Sequence, residues 1–104
     1  MQKNKATSPE KKAALETIRA EFKGTDSQTQ RTRLMEAMKR LGNVSTYEAR
    51  RYLDIHFPPA RIKELRDLGE KIKTLWVNTI TESGDTHLIG LYVLESGVQD
   101  ESPA

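Results

Sequence analysis

The residues of this 104-residue chain that could do chemistry are few, and most of them are basic. There is no cysteine, so thiolate nucleophiles, disulfides and thiolate metal sites are excluded. His56 and His87 are the two histidines, and neither has a partner at ligand spacing, so no metal is expected. Ser8-Pro9-Glu10-Lys11 matches the Ser-x-x-Lys pattern of some acyl-enzymes, yet the same residues spell a helix start, and capping is the reading adopted. Asn43-Val44-Ser45 has the form of a glycosylation acceptor, which matters only to an exported chain. No glycine loop is built to cradle phosphate, and Trp76, Tyr92 and Tyr47 read as core or hairpin packing rather than as a base-stacking platform. No catalytic residue and no cofactor are expected, and the chain does not read as an enzyme. What remains is Arg61, Lys63 and Arg66, close-spaced cations whose chemistry is the hydrogen bonding of anionic oxygens and base edges.

The distribution of charge follows the same line. Net charge is only +2, but residues 28–76 carry eleven Lys/Arg against six acids, while residues 77–104 carry five acids and no base. A basic middle suits a phosphate-binding surface, although charged helices are also simply well solvated. With 36% hydrophobic and 31% charged residues, the chain can close one small core. No leader-like apolar segment opens the sequence, and Leu88–Leu94 is far too short to span a bilayer, so a soluble cytoplasmic protein is expected.

These cations need elements to hold them. Residues 1–7 and the acidic tail 95–104 read as disordered, flanking a segment 1–27 and a domain 28–94. Ser8, Pro9 and Glu10 start a helix of about 9–23 that stops at Gly24. Its thin stripe of Ala14, Leu15, Ile18 and Phe22 must dock on the domain or pair with a second copy, giving a homodimer through Leu15, Ile18 and Phe22. Ser27 and Gln30 read as a capping box for a helix from Gln28 to Leu41. That helix buries Leu34, Met38 and Leu41, with Arg31, Arg33, Lys39 and Arg40 on its remaining surface, and Gly42 caps it. Ser45 and Glu48 form a second capping box for a helix of Thr46 to Tyr52. After the turn Asp54-Ile55-His56, Pro58 marks a boundary and Pro59 the first position of a helix to Leu68, with Phe57 and Ile62 spaced as a hydrophobic staple. The period then changes to two: Lys71–Thr81 and His87–Leu94 read as a hairpin.

Three helices followed by a hairpin make an α+β winged helix-turn-helix: a three-helix core, a C-terminal β-hairpin wing and an extra N-terminal helix. The stretches Ser45-Thr-Tyr-Glu-Ala-Arg-Arg-Tyr-Leu-Asp-Ile55 and Pro59-Ala-Arg-Ile-Lys-Glu-Leu-Arg66, then Gly69, Ile72 and Leu91-Tyr-Val-Leu94, resemble small helix-turn-helix proteins of bacteriophages and prophages. The resemblance implies a winged helix that binds double-stranded DNA, in a phage or prophage regulator or an accessory DNA-binding factor.

Stepping 100° per residue from buried Ile62 and Leu65 points Ala60, Lys63, Glu64 and Asp67 outward, with Arg61 and Arg66 on the flanks. Arg61, Lys63 and Arg66 are therefore the expected DNA contacts, and Glu64 either holds Arg61 or accepts from a cytosine amino group. Ser45 and Thr46 at a helix start, Arg50 and Arg51 behind them, and Arg31, Arg33 and Arg40 are candidates for positioning on phosphates. The wing, with Glu82 and Asp85 and no base, is expected to contribute little to DNA affinity. It fits a protein partner better, so an interaction adaptor on a winged-helix scaffold is the alternative.

Overall fold

The computed structural model describes residues 7–80 and 83–95. Apart from Thr7 and Glu95, the termini expected to be disordered lie outside those residues. Thr7 donates its hydroxyl to Glu48 Oε2 at 2.7 Å, and the Glu95 N–H reaches the Lys71 carbonyl at 2.9 Å, so both are tied down.

Helix α1 (Pro9–Glu21) starts as its sequence dictates: Ser8 accepts from the Lys11 N–H, Pro9 opens the helix and Glu10 lies in the first turn. It ends two residues before Lys23, with Phe22 as its C-cap. Helix α2 (Ser27–Leu41) is capped by Asp26 rather than by Ser27. The Asp26 carboxylate takes both the hydroxyl (2.7 Å) and the N–H (3.2 Å) of Thr29, and the displaced Gln30 amide donates to the Thr25 carbonyl instead. These bonds, the Thr29 hydroxyl foremost, hold the Asp26 carboxyl below its ordinary pKa. The stabilisation they supply is therefore present above the normal carboxylate range and fades as pH falls through it. Gly42 closes α2 at φ 90°, the left-handed conformation foreseen for it.

Strand β1 (Val44–Ser45) leads into α3 (Thr46–Tyr52), whose capping box is complete: Ser45 Oγ accepts from the Glu48 N–H, and Glu48 Oε1 accepts from the Ser45 N–H, each at 3.0 Å. Asp54 follows with φ 57°, a left-handed residue without glycine's freedom, and its neighbour Ile55 turns fully inward. Helix α4 (Pro58–Asp67) begins one residue earlier than expected, with Pro58 buried in the first position. Phe57 is thus the N-cap itself and stands exposed, so the staple with Ile62 does not form. Strands β2 (Ile72–Ile80) and β3 (Thr86–Leu94) pair residue for residue from Ile72↔Leu94 to Ile80↔Thr86, and the sheet order is β1-β3-β2.

One core joins all of this. Leu34, Ala37 and Met38 from α2 meet Val44, Ala49, Leu53 and Ile55, then Ile62 and Leu65 from α4, with Ile72 and Tyr92 closing the sheet side. Leu15 (0% exposed) and Ile18 (1%) belong to the same core, and Phe22 packs against it. This corrects the homodimer expected through Leu15, Ile18 and Phe22. The α1 stripe is covered by its own chain, against α2 and α3, and offers no apolar face to a second copy.

Candidate nucleic-acid interface

The inward residues of α4 are Pro58, Ile62 and Leu65; Pro59, Lys63, Arg66 and Asp67 are exposed. Lys63 reaches furthest, its side chain 76% exposed, with its ammonium 3.0 Å from Asp67. An exposed i,i+4 pair of this kind is worth only about 0.3–0.5 kcal/mol, so a phosphate can displace the acid at little cost.

Arg61 and Glu64, by contrast, lie against α2. Glu64 accepts from Arg31 at 2.9 Å and from Arg61 at 2.8 Å, and Arg61 also donates to Ser27 Oγ at 2.9 Å. Of the two roles foreseen for Glu64, the geometry gives it the holding of Arg61, and Arg31 as well. The Arg61 Nε is buried without a partner, which marks the side chain as tightly but incompletely accommodated. A Glu64→Gln variant is expected to release both arginines. If they lie close to bound DNA, affinity at low salt should rise about two- to tenfold, roughly 0.4–1.4 kcal/mol, measured by fluorescence anisotropy with a random duplex. Unchanged affinity would place this cluster away from the nucleic acid.

Arg66 has a different task. Its Nε and Nη2 donate to the Ile72 carbonyl at 3.1 and 2.8 Å, and Nη2 also reaches Thr74 Oγ1 at 3.0 Å. It therefore fixes the root of the wing against the end of α4 while remaining exposed.

At the start of α3 the two hydroxyls are already engaged. Ser45 Oγ serves the capping box, and Thr46 donates to the Tyr92 hydroxyl at 3.1 Å. Glu48 also brings a carboxylate there, buried and paired with Lys11 Nζ at 2.9 Å; Lys11 donates to Asn43 Oδ1 too. A negative charge at this helix start competes with a phosphate, so Ser45 and Thr46 are structural caps first. Arg50 and Arg51 are exposed; Arg51 lies over the rings of Tyr47 and Tyr52, 5.9 Å from each centroid, and Arg50 has no ion-pair partner among the described residues.

The α2 candidates divide in three ways. Arg31 faces Glu64, and Arg40 pairs with Glu21 and Glu36 on the surface. Arg33, expected on the surface as a phosphate contact, is 3% exposed and is a structural residue. It donates to the carbonyls of Phe22 (2.8 Å), Gly24 (2.7 Å) and Leu53 (3.0 Å). No local signal sets Arg33 apart from Arg31 and Arg40 in the sequence, because its three acceptors come from other elements.

The wing departs from expectation in its apolar surface. Tyr92 is core, but Trp76 is 65% exposed and Leu88 63%. Both lie on the sheet face that Ile72 and Tyr92 present to the helices, further out along the hairpin where the helices no longer cover it.

This arrangement of α2, α3, α4 and hairpin agrees with a family model described as a winged helix-turn-helix domain, which matches residues 29–97. The chain belongs to the winged helix-turn-helix family. The match covers about two-thirds of the chain and leaves α1 outside. No curated protein and no solved structure matches the chain. In the helix-turn-helix motif of DNA-binding proteins the second helix is the one that lies in the major groove; α3 and α4 follow one another in that order. Among the described residues, no helix is long and apolar enough to cross a membrane.

Proposed function

We propose that this winged helix binds duplex DNA with the exposed face of α4, as a phage- or prophage-derived regulator or accessory DNA-binding factor. The observation that carries the reading is Lys63, the outermost base of α4, held only by a weak surface pair. Lys63 makes the groove contact, with Arg66 beside it at the wing root and Arg61 on the opposite flank. Arg50 and Arg51 take the neighbouring phosphates. The resemblance of the helix-turn-helix residues to phage and prophage proteins supports the biological setting.

Titration of duplex DNA at several salt concentrations tests the proposal, because each phosphate neutralised contributes about −0.9 to the log–log salt slope. Lys63→Ala is expected to weaken binding and to flatten that slope by about one phosphate equivalent if the contact is to the backbone. It should do so with a melting temperature lowered by no more than about 4 °C, since Lys63 holds only the surface pair with Asp67. Absence of binding by the wild-type chain at low salt would refute the reading.

A second reading, an interaction adaptor, is favoured by one observation: the wing exposes Trp76 and Leu88 and carries Asp85 with no base beyond Lys73. A wing of that character meets protein more readily than phosphate. Retention of a partner after nuclease treatment would distinguish the two readings.

A further inference from the structure

The outer edge of the sheet is unusually open. Among the described residues, β2 has β3 on one side and no strand on the other. Over nine consecutive register pairs it contains no bulge, and Thr74–Ile80 contains no charge and no proline. Natural sheets normally blunt such an edge with one of these devices; a long, regular, uncharged edge is a template for another strand.

The hydrogen-bonding direction of each residue can be assigned. The Lys71 carbonyl accepts from Glu95, so Lys71 faces β3, whereas the Ile72 carbonyl accepts from Arg66 and faces away. Alternation along an antiparallel strand then turns the N–H and C=O groups of Thr74, Trp76, Asn78 and Ile80 to the open edge. These four residues are symmetric about Val77. Ile72, the remaining member of the alternation, already has its carbonyl occupied by Arg66.

We infer that the β2 edge is a self-complementary interface, and that its occupant is β2 of a second copy of this chain, running antiparallel about a two-fold axis at Val77. Trp76 then pairs with Asn78 of the second copy and Thr74 with its Ile80, so every open group on the edge finds a mate. Each sheet becomes half of a continuous six-stranded sheet.

Charge selects a second copy over an unrelated strand. The root of β2 is basic, with Lys71 and Lys73, and the far end leads to a turn that carries Asp85. An antiparallel two-fold sets the basic root of each β2 towards the far end of the other, on the side of that turn; a parallel pairing would set the lysines of the two copies together. The side chains agree on both faces. Leu75 and Val77, on the outer face with Ile89 and Leu91, extend across the axis, and on the inner face the exposed rings of Trp76 gain neighbours that the helices do not provide. A closed two-fold also consumes both free β2 edges, so this contact cannot repeat into fibres.

The test is the mass of the full chain in solution, by sedimentation from low to high micromolar concentration. The expected result is a concentration-dependent doubling of 11.8 kDa. W76K/N78K places like charges opposite each other across the axis and is expected to remain a monomer, whereas W76E/N78K places opposite charges there and is expected to restore the dimer. Because misfolding of the first variant would imitate dissociation, hydrogen exchange of the wild-type chain supplies a second measurement. The amides of Thr74, Trp76, Asn78 and Ile80 should slow at least tenfold as concentration rises, while the amides of Leu75 and Val77, which face β3, should change less. A wild-type monomer at every concentration, assembly beyond a dimer, a dimer indifferent to both charge variants, or concentration-independent exchange would each overturn the proposal.

Discussion

An Arg33→Met variant is expected to lose a large share of the stability of the fold. The guanidinium is buried, and its three nitrogens each donate to a different carbonyl: Phe22 at the end of α1, Gly24 in the following loop, and Leu53 at the C-cap of α3. Methionine keeps the length of the stem but leaves all three carbonyls without that partner. Each buried acceptor left unsatisfied costs about 1–3 kcal/mol, so the three together cost at least about 3 kcal/mol, against a total of about 5–15 kcal/mol for a domain. In a domain of this size each kcal/mol is worth about 4–8 °C, so the melting temperature should fall by at least 12 °C. Arg33→Lys should recover little, because one ammonium group cannot reproduce a planar fork aimed at three carbonyls. Thermal denaturation followed by circular dichroism checks both variants, and a loss of only a few degrees for Arg33→Met would show that the cluster contributes little.

The second large effect concerns α1. The family match begins after this helix, which suggests that a chain starting at Asp26 should fold. The core argues otherwise. Such a chain lacks Leu15 and Ile18, both essentially inaccessible to solvent, and emptying either site is comparable to a large-to-small core change of about 2–5 kcal/mol. It also lacks two of the three Arg33 acceptors and the Lys11 partner of buried Glu48. The truncated chain is expected to be largely unfolded at room temperature, with poorly dispersed amide resonances. Leu15→Ala in the full chain offers the graded counterpart, folded but less stable by about 2–5 kcal/mol. A truncated chain that melts near the wild-type temperature would show α1 to be an accessory.

Local chemistry made much of this molecule readable beforehand. The Ser45–Glu48 box, Gly42 after α2 and the change of period at Ile72 each involve neighbours in sequence, where the physics is complete within a few residues. Off-by-one differences arose where two adjacent residues could do the same task. Asp26 and Ser27 can both cap a helix, and a carboxylate with two oxygens takes both Thr29 donors, which a hydroxyl cannot do. Pro58 and Pro59 can both open one. Arg33 and Trp76 were hidden for a different reason. The fate of each depends on where a distant element stops: α1 ends so that its last carbonyls meet Arg33, and the helical layer ends before it covers Trp76. At the candidate interface, helical phase placed Lys63 outward but could not show that α2 lies against Arg61 and Glu64.

Arg33 also bears on how the N-terminal helix and the domain depend on each other. The residue lies inside the span matched by the family model, yet two of its three acceptors lie before that span. An arginine at this point without the preceding helix would keep the Leu53 carbonyl alone, and the helix without the arginine would leave the Phe22 and Gly24 carbonyls without this donor. Helix and arginine are thus coupled, and the effects of changing both are expected to fall short of the sum of the two single changes. The N-terminal extension is wired into the domain through one residue of α2.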